Sequence, residues 1–465
     1  SSVLSEGDIN NASDVPVKRD IPHPTTSVFQ SMSHFRNLET LIHVLKGNVG
    51  TGLLAMPEAF MNAGLWVGFA GIPIMGVICI HCMQMLVRYK PYFNSALSYE
   101  ETAEAAFRLG PEGCRKWANT VKYIITTFLI ITQVGFCCVY AVFIPQNLMQ
   151  VSYSSRYAPS YSSRYAPSYT PRRMSYTFQL YLCPLLHSER LYFDIGSLCY
   201  LAPVSLMAGA VQIIGIIICF YYMLRDLPHV QEELPAFAGF STLPLYFGSA
   251  IYAFEGIGLV LPLENKMKTP QAFGGWTGVL NTAMVIVVCF YAGVGFFGYL
   301  RYGSSVQGSI TLNLPPSEPL SQTVKILMAL AVYMTYPLQM YVPYEVLRPA
   351  VTRRFTTHKG KMAAEYIFRS CMVFLTFALA AAIPNIGLFI SLVGAVSSST
   401  LALIFPPIVE IVTFWPNTGK YNWRIIKGAL ICLFGLVGFV AGTITSVESI
   451  IDFFMNGQQQ PSYEC

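Results

Sequence analysis

The chain has 465 residues, of which 54% are hydrophobic and only 11% charged, with a net charge of +5 and a mean hydropathy of +0.48. A soluble domain carries about 25% charged residues, so a chain this poor in charge cannot cover a globular surface and is read as solvated by lipid. The small positive excess belongs to topology rather than to nucleic-acid binding, because the basic residues fall between greasy runs.

Residues 1–38 are polar and charged and lack the n-region, h-region and cleavage site of a signal peptide. They are expected to form a disordered cytosolic tail, in which the Asn11-Ala12-Ser13 sequon stays bare. Stretches of about 20 apolar residues read as membrane helices. They fall at 39–63, 65–88, 121–149, 203–224, 241–264, 276–300, 321–346, 365–385, 387–413 and 425–452, ahead of a short tail at 453–465. Of the twelve cysteines, most lie inside these runs as small buried hydrophobes. No CxxC pair has zinc-site flanks, so neither a disulfide framework nor a structural metal is expected.

The segment 150–202 is the exception. "YSSRYAPS" occurs twice in tandem, at 153–160 and 161–168, and no clean apolar run follows until about 195. Charge nevertheless demands a crossing there. Lys and Arg cluster at 88–122, 348–369 and 420–427, with a pair at 266–268, whereas the loop at 225–240 is acidic. If positive loops stay inside, the spans 121–149 and 203–224 both run outward, and parity requires one inward crossing between them. The best candidate is 174–194, which carries His187, Glu189, Arg190 and Asp194. At about 2.5–3.5 kcal/mol per central charge it is a poor membrane helix. The expectation is eleven spans with an atypical fourth, the N-terminus inside and the C-terminus outside.

Two spans carry helix-breaking patterns. In "HVLKGNVGTGLLAMP" (43–57), Gly47, Gly50 and Gly52 permit unwinding near mid-span. In "YFGSAIYAFEGIGLVLPLE" (246–264), Glu255 precedes Gly256 and Gly258, with Pro262 beyond. Non-helical backbone inside a bilayer is tolerated only where protein buries it or where it lines a cavity. Counting the fourth span, these are the first and the sixth, the matching positions of two five-span halves, where an inverted-repeat transporter keeps its discontinuous helices.

The N–H groups of Val49, Gly50, Thr51 and Gly52 would open the second half-helix with a partial positive charge suited to a carboxylate. Carbonyls around Phe254, Glu255 and Gly256 would accept from an ammonium group. Together with Gly47 and Asn48 these make the expected amino-acid site. Glycines in membrane helices also serve plain close packing, but a matched pair of such sites, one holding a glutamate, favours the binding reading. The glycine order does not meet a dinucleotide fingerprint, and no Walker Lys-Ser/Thr pair follows.

Several motifs then carry a family resemblance: "TLIHVLKGNVGTGLLAMPEAFMNAG" (40–64), "ITQVGFCCVY" (131–140), "YLAPVSLMA" (200–208), "YAFEGIGLVLPLENKMKTP" (252–270), "GSITLNLP" (308–315) and "SLVGAVSSSTLALIFPP" (391–407). In this order they resemble the proton-coupled amino-acid transporters of the amino acid/auxin permease family, from about 39 to 452. The resemblance implies an all-α polytopic protein with a leucine-transporter-like 5+5 inverted repeat plus one extra helix. It also implies proton symport of small neutral amino acids such as alanine, glycine or proline, at the plasma membrane or the lysosome. His43 matches the histidine this family uses in proton coupling, and Glu255 the acidic residue of the broken sixth helix.

The segment 150–194 departs from the family's fourth span. "NLPPSEPLSQ" (313–322) lacks the expected disulfide partner, which leaves Cys183 unpaired. No cofactor is expected beyond the co-transported proton, and no nucleophile or metal spacing marks an enzyme. An amino-acid sensor that binds substrate with little flux is the alternative.

Taken singly, His43 can load and release protons across physiological pH, and an intramembrane Glu255 is functional by default. Glu58 is read as a partner for a neighbouring span. Lys46 is read as snorkelling, Tyr336, Tyr341 and Tyr344 as packing, and Ser397, Ser398 and Ser399 as close-packing positions.

Overall fold

A computed structural model describes residues 36–89, 97–157, 198–225 and 234–455, together with Leu227. The polar tail at 1–35, the tandem "YSSRYAPS" repeat beyond Tyr157, the proposed fourth span at 174–194, Cys183 and the end of the C-terminal tail lie outside the described residues.

The first span is three helical pieces, α1 (Asn37–Asn48), α2 (Thr51–Leu54) and α3 (Met56–Ala63). Gly64 turns the chain with a φ of 89° into α4 (Leu65–Tyr89). At φ > 0 a side chain is strained, and a Cβ here would also strike the backbone of Ala236 and Phe237, which pack over the turn. The amphipathic α5 (Tyr99–Leu109) begins with a Ser98/Glu101 capping box and lies between spans.

Next come α6 (Ala118–Tyr157), α7 (Leu198–Arg225), α8 (Leu243–Ala253), α9 (Ile257–Asn265) and α10 (Val279–Tyr302). They are followed by α11 (Pro319–Thr352), α12 (His358–Ala382), α13 (Ile386–Val393), α14 (Phe405–Phe414) and α15 (Trp423–Met455). Between α13 and α14 the backbone runs through π-helical turns at Gly394–Ser398 and Thr400–Ile404.

Nine segments among the described residues are long and apolar enough to cross a bilayer, α8 and α9 counting as one and α13 to α14 as another. The broken first span adds a tenth, which accounts for every apolar run expected from the sequence. The protein is therefore an all-α polytopic membrane protein. The α13–α14 segment and the α8–α9 segment are 78% and 72% buried, whereas α15 is 22% buried. The broken sixth span thus sits in the middle of the bundle, and α15 lies on its lipid-facing rim.

The helix ends decide how the chain threads. The Gln150 amide donates to Leu312 O at 3.2 Å, and the Tyr222 hydroxyl donates to Glu318 Oε2 at 2.8 Å. Both α6 and α7 therefore finish at the end of the bundle where α11 starts. The two helices therefore run in the same direction, as the charge argument expects of the spans 121–149 and 203–224. At the opposite end the Gln84 amide donates to Asn281 Oδ1 at 2.7 Å and Thr269 Oγ1 meets Asn37 Oδ1 at 3.0 Å. This end gathers the basic residues Arg88, Lys266, Lys268 and Arg353.

Candidate functional site

The two breaks predicted from glycine spacing are present and lie side by side. The N–H of Val49 donates to Leu45 O and closes α1, Gly50 is extended, and α2 begins at Thr51. In the sixth span α8 ends at Ala253, Phe254 to Gly256 leave the helix, and α9 begins at Ile257. Close glycine contacts hold the pair together. A Cβ on Gly52 would stand 2.8 Å from Ala253 Cα, and one on Gly256 would stand 2.8 Å from the Asn48 side-chain amide. Only hydrogen at both positions lets the breaks approach this closely.

Breaking a helix frees backbone polar groups, and inside a bilayer each needs a partner. Two residues that sequence reading passed over supply them. Tyr291 of α10 is fully buried, with its hydroxyl 2.5 Å from both Asn48 O and Ala253 O, the last carbonyls of the two half-helices. A phenol has one proton, so it can donate to only one of these carbonyls at a time. Its ring packs against that of Phe254, tilted by 60° with centroids 5.0 Å apart. Gln212 of α7 donates its amide to Val49 O at 2.8 Å. The Thr51 hydroxyl meets the Tyr252 hydroxyl at 3.3 Å, and Tyr252 packs edge-on against Phe136. Gln212 was detectable as a lone amide in an apolar run; Tyr291, one aromatic among many, carried no such signal.

The expected site residues fall into distinct environments. Gly47 and Asn48 are still helical; Gly47 packs on Leu259, and the Asn48 amide returns to Val44 O at 2.9 Å. Of the four N–H groups expected to face a carboxylate, that of Val49 is committed to Leu45. Thr51 and Gly52 open α2, where N–H groups have no intrahelical acceptor. Nothing lies within 4 Å of a Cβ built on Gly50, so space opens beside the break. In the second break Phe254 O accepts from Gly256 N at 2.8 Å and Gly256 O from Leu259 N at 3.0 Å. Among the described residues no backbone N–H donates to Glu255 O, which leaves it the available carbonyl of the three.

The Glu255 side chain is buried, and among the described residues its Oε2 has no hydrogen-bond partner. The polar group facing it is the Ser398 hydroxyl in the π-helical stretch. Ser397, Ser399 and Thr400 each bond back to the carbonyl four residues earlier, whereas the Ser398 Oγ has no hydrogen-bond partner among the described residues.

His43 lies on α1 about one turn before Gly47, half-buried, with Lys46, Lys266 and Glu39 as the charged groups around it. Glu58 packs its carboxylate against Gly387 at the start of α13, away from the breaks.

Over residues 35–451 the sequence matches the family described as "Transmembrane amino acid transporter protein". The chain belongs to this family. The transporter is 39% identical over 447 residues to the "Proton-coupled amino acid transporter-like protein pathetic" of Drosophila melanogaster, covering 95% of this chain and 88% of that one. It is 28% identical over 424 residues to the "Probable amino acid transporter skat-1" of Caenorhabditis elegans, covering 88% and 89%. Among solved structures, that of MhsT in complex with L-phenylalanine matches with a TM-score of 0.50 at 14% identity, covering 91% of this chain and 99% of that one. The likeness is one of fold: the transporter has the leucine-transporter-like architecture, and it is a carrier rather than an enzyme.

Proposed function

We propose that the transporter couples proton movement to the carriage of small neutral amino acids, alternating access around its two helix breaks. The observation that carries this reading is the paired break with open space at Gly50. Thr51 and Gly52 N–H groups stand on one side of that pair, and Glu255 O stands in the other break. A zwitterion's carboxylate suits the start of α2, and its ammonium suits the carbonyl and carboxylate of Glu255. The breaks touch through Gly52–Ala253 and Asn48–Gly256, so closure over a substrate in one half-helix is felt directly by the other. The name of the Drosophila relative supports proton coupling, and His43, one turn from the break and half-buried, is the assigned proton carrier.

The test is uptake of radiolabelled alanine, glycine and proline into proteoliposomes holding the purified transporter. An inward proton gradient is expected to drive accumulation above equilibrium, and His43→Ala is expected to abolish the gradient response in correctly inserted protein. Equal uptake with and without the gradient would refute proton coupling. Substrate binding without flux would mark the protein as a sensor.

A further inference from the structure

A cavity of about 630 Å³ lies between α4 and α10 at the basic end of the bundle, apart from the helix breaks. Its lining is graded along the membrane normal. Deeper in the bilayer the walls are Val77 and Ile80 of α4 and Val285 and Ile286 of α10; toward the membrane surface they become His81, Gln84, Asn281, Thr282 and Arg88. The α4 residues recur at helical spacing, so they form one continuous stripe.

Val77 is 67% exposed and Val285 57% exposed at this depth, so the cleft opens sideways onto the hydrocarbon rather than into water. Trp276, 94% exposed, stands at its surface end, where an indole suits the headgroup level of a bilayer. The polar wall is held in place: buried Gln84 donates to Asn281 Oδ1 at 2.7 Å and accepts from Gly275 N at 3.4 Å. The buried Nε2 of His81 has no hydrogen-bond partner among the described residues. Among the described residues Arg88 is the one Lys, Arg, Asp or Glu side chain lining the cleft.

We propose that this cleft is a binding site for a single anionic phospholipid of the cytosolic leaflet. One acyl chain lies along Val77, Ile80, Val285 and Ile286, and the headgroup phosphate sits at Arg88. An apolar trough ending in a fixed amide pair and one cation complements an amphiphile of that polarity and charge. A neutral water-soluble ligand leaves the apolar half unused, and a cationic lipid meets Arg88 with the wrong sign. The site also has a route to the breaks. Tyr291 stands on the opposite, buried face of α10 about one and a half turns on, so an occupant that props α4 from α10 acts on the helix that bridges both breaks.

The test uses full-length transporter in phosphatidylcholine nanodiscs containing a small fraction of photoactivatable phosphatidylserine or, separately, photoactivatable phosphatidylcholine. Crosslinks are mapped by peptide mass spectrometry. Labelling is expected within 77–88 and 276–286, with the anionic probe favoured about fivefold, the factor one basic residue near a membrane supplies. Arg88→Gln is expected to reduce the anionic probe to the phosphatidylcholine level, Arg88→Lys to retain most of the preference, and Val285→Trp, which fills the trough at a lipid-exposed position, to remove labelling by both. Equal labelling by the two probes, labelling confined to other peptides, or an unchanged preference in Arg88→Gln protein with a wild-type melting temperature would each overturn the proposal.

Discussion

The Tyr291 hydroxyl lies 2.5 Å from Asn48 O and 2.5 Å from Ala253 O, so one side chain of α10 joins the ends of two interrupted helices. Its single proton can go to either of two carbonyls, one at a time, that would otherwise face a low-dielectric interior.

Tyr291→Phe keeps the ring and its packing against Phe254 but leaves both carbonyls without this donor. A stability loss of about 1–3 kcal/mol is expected, the cost of unpaired buried acceptors. Thermal unfolding of purified protein in detergent checks it, and transport in proteoliposomes should fall with it. Wild-type stability would show that the hydroxyl bridges nothing of consequence.

Two glycines of the first break should behave in opposite ways. Gly52→Ala drives a methyl into the Ala253 backbone at 2.8 Å, so the breaks must separate, and overpacking of this kind costs about 1–3 kcal/mol. Gly50→Ala meets nothing within 4 Å and should fold normally, yet lose substrate affinity if the open space receives the substrate. Melting temperatures and substrate binding, measured together, separate the two effects.

Near the basic end, Lys427 Nζ stands 2.7 Å from Glu410 Oε2, with both side chains largely buried. Lys427→Met strands a buried carboxylate and is expected to destabilise by about 3–5 kcal/mol, whereas the double change Lys427→Met with Glu410→Gln should recover most of that loss. A double-mutant cycle on thermal unfolding reads the coupling directly; two additive losses would count against it.

Glu104 on α5 is partly desolvated, which raises its carboxyl, but hydrogen bonds and charge from Lys122 at 2.6 Å and from Arg108 outweigh this and hold it below the usual 4.5. A lowered folded-state value contributes stability that is fully present above the unfolded value and is lost as pH falls through the folded one. The gap in melting temperature between wild-type and Glu104→Gln protein should therefore be constant near neutrality and shrink below about pH 4.5. A gap that widens on acidification would reverse the sign and dismiss the pairing.

Hydropathy located every described span, because the bilayer imposes a length and polarity that any sequence window reports. Glycine spacing located both breaks for a similar local reason: a run that cannot hold a helix is visible residue by residue. The parity argument from loop charge also agrees with the ends at which α6 and α7 finish. The π-helical turns at Gly394–Ser398 and Thr400–Ile404 were not legible, since "GAVSSSTLALI" suits an ordinary helix and only packing against the sixth span selects the wider coil.

Composition and pattern by themselves determined a lipid-solvated helical bundle, its spans, its basic face and the two positions where helix gives way, because each of these follows from a local transfer free energy or a local backbone preference. Tertiary structure alone decided that Gly52 meets Ala253, that Gly256 meets Asn48, that Tyr291 and Gln212 hold the freed carbonyls, and that Ser398 turns toward Glu255. Those partners lie tens to hundreds of residues apart. Long-range hydrogen bonds and close backbone contacts depend on how helices cross, and no single window of sequence contains that information.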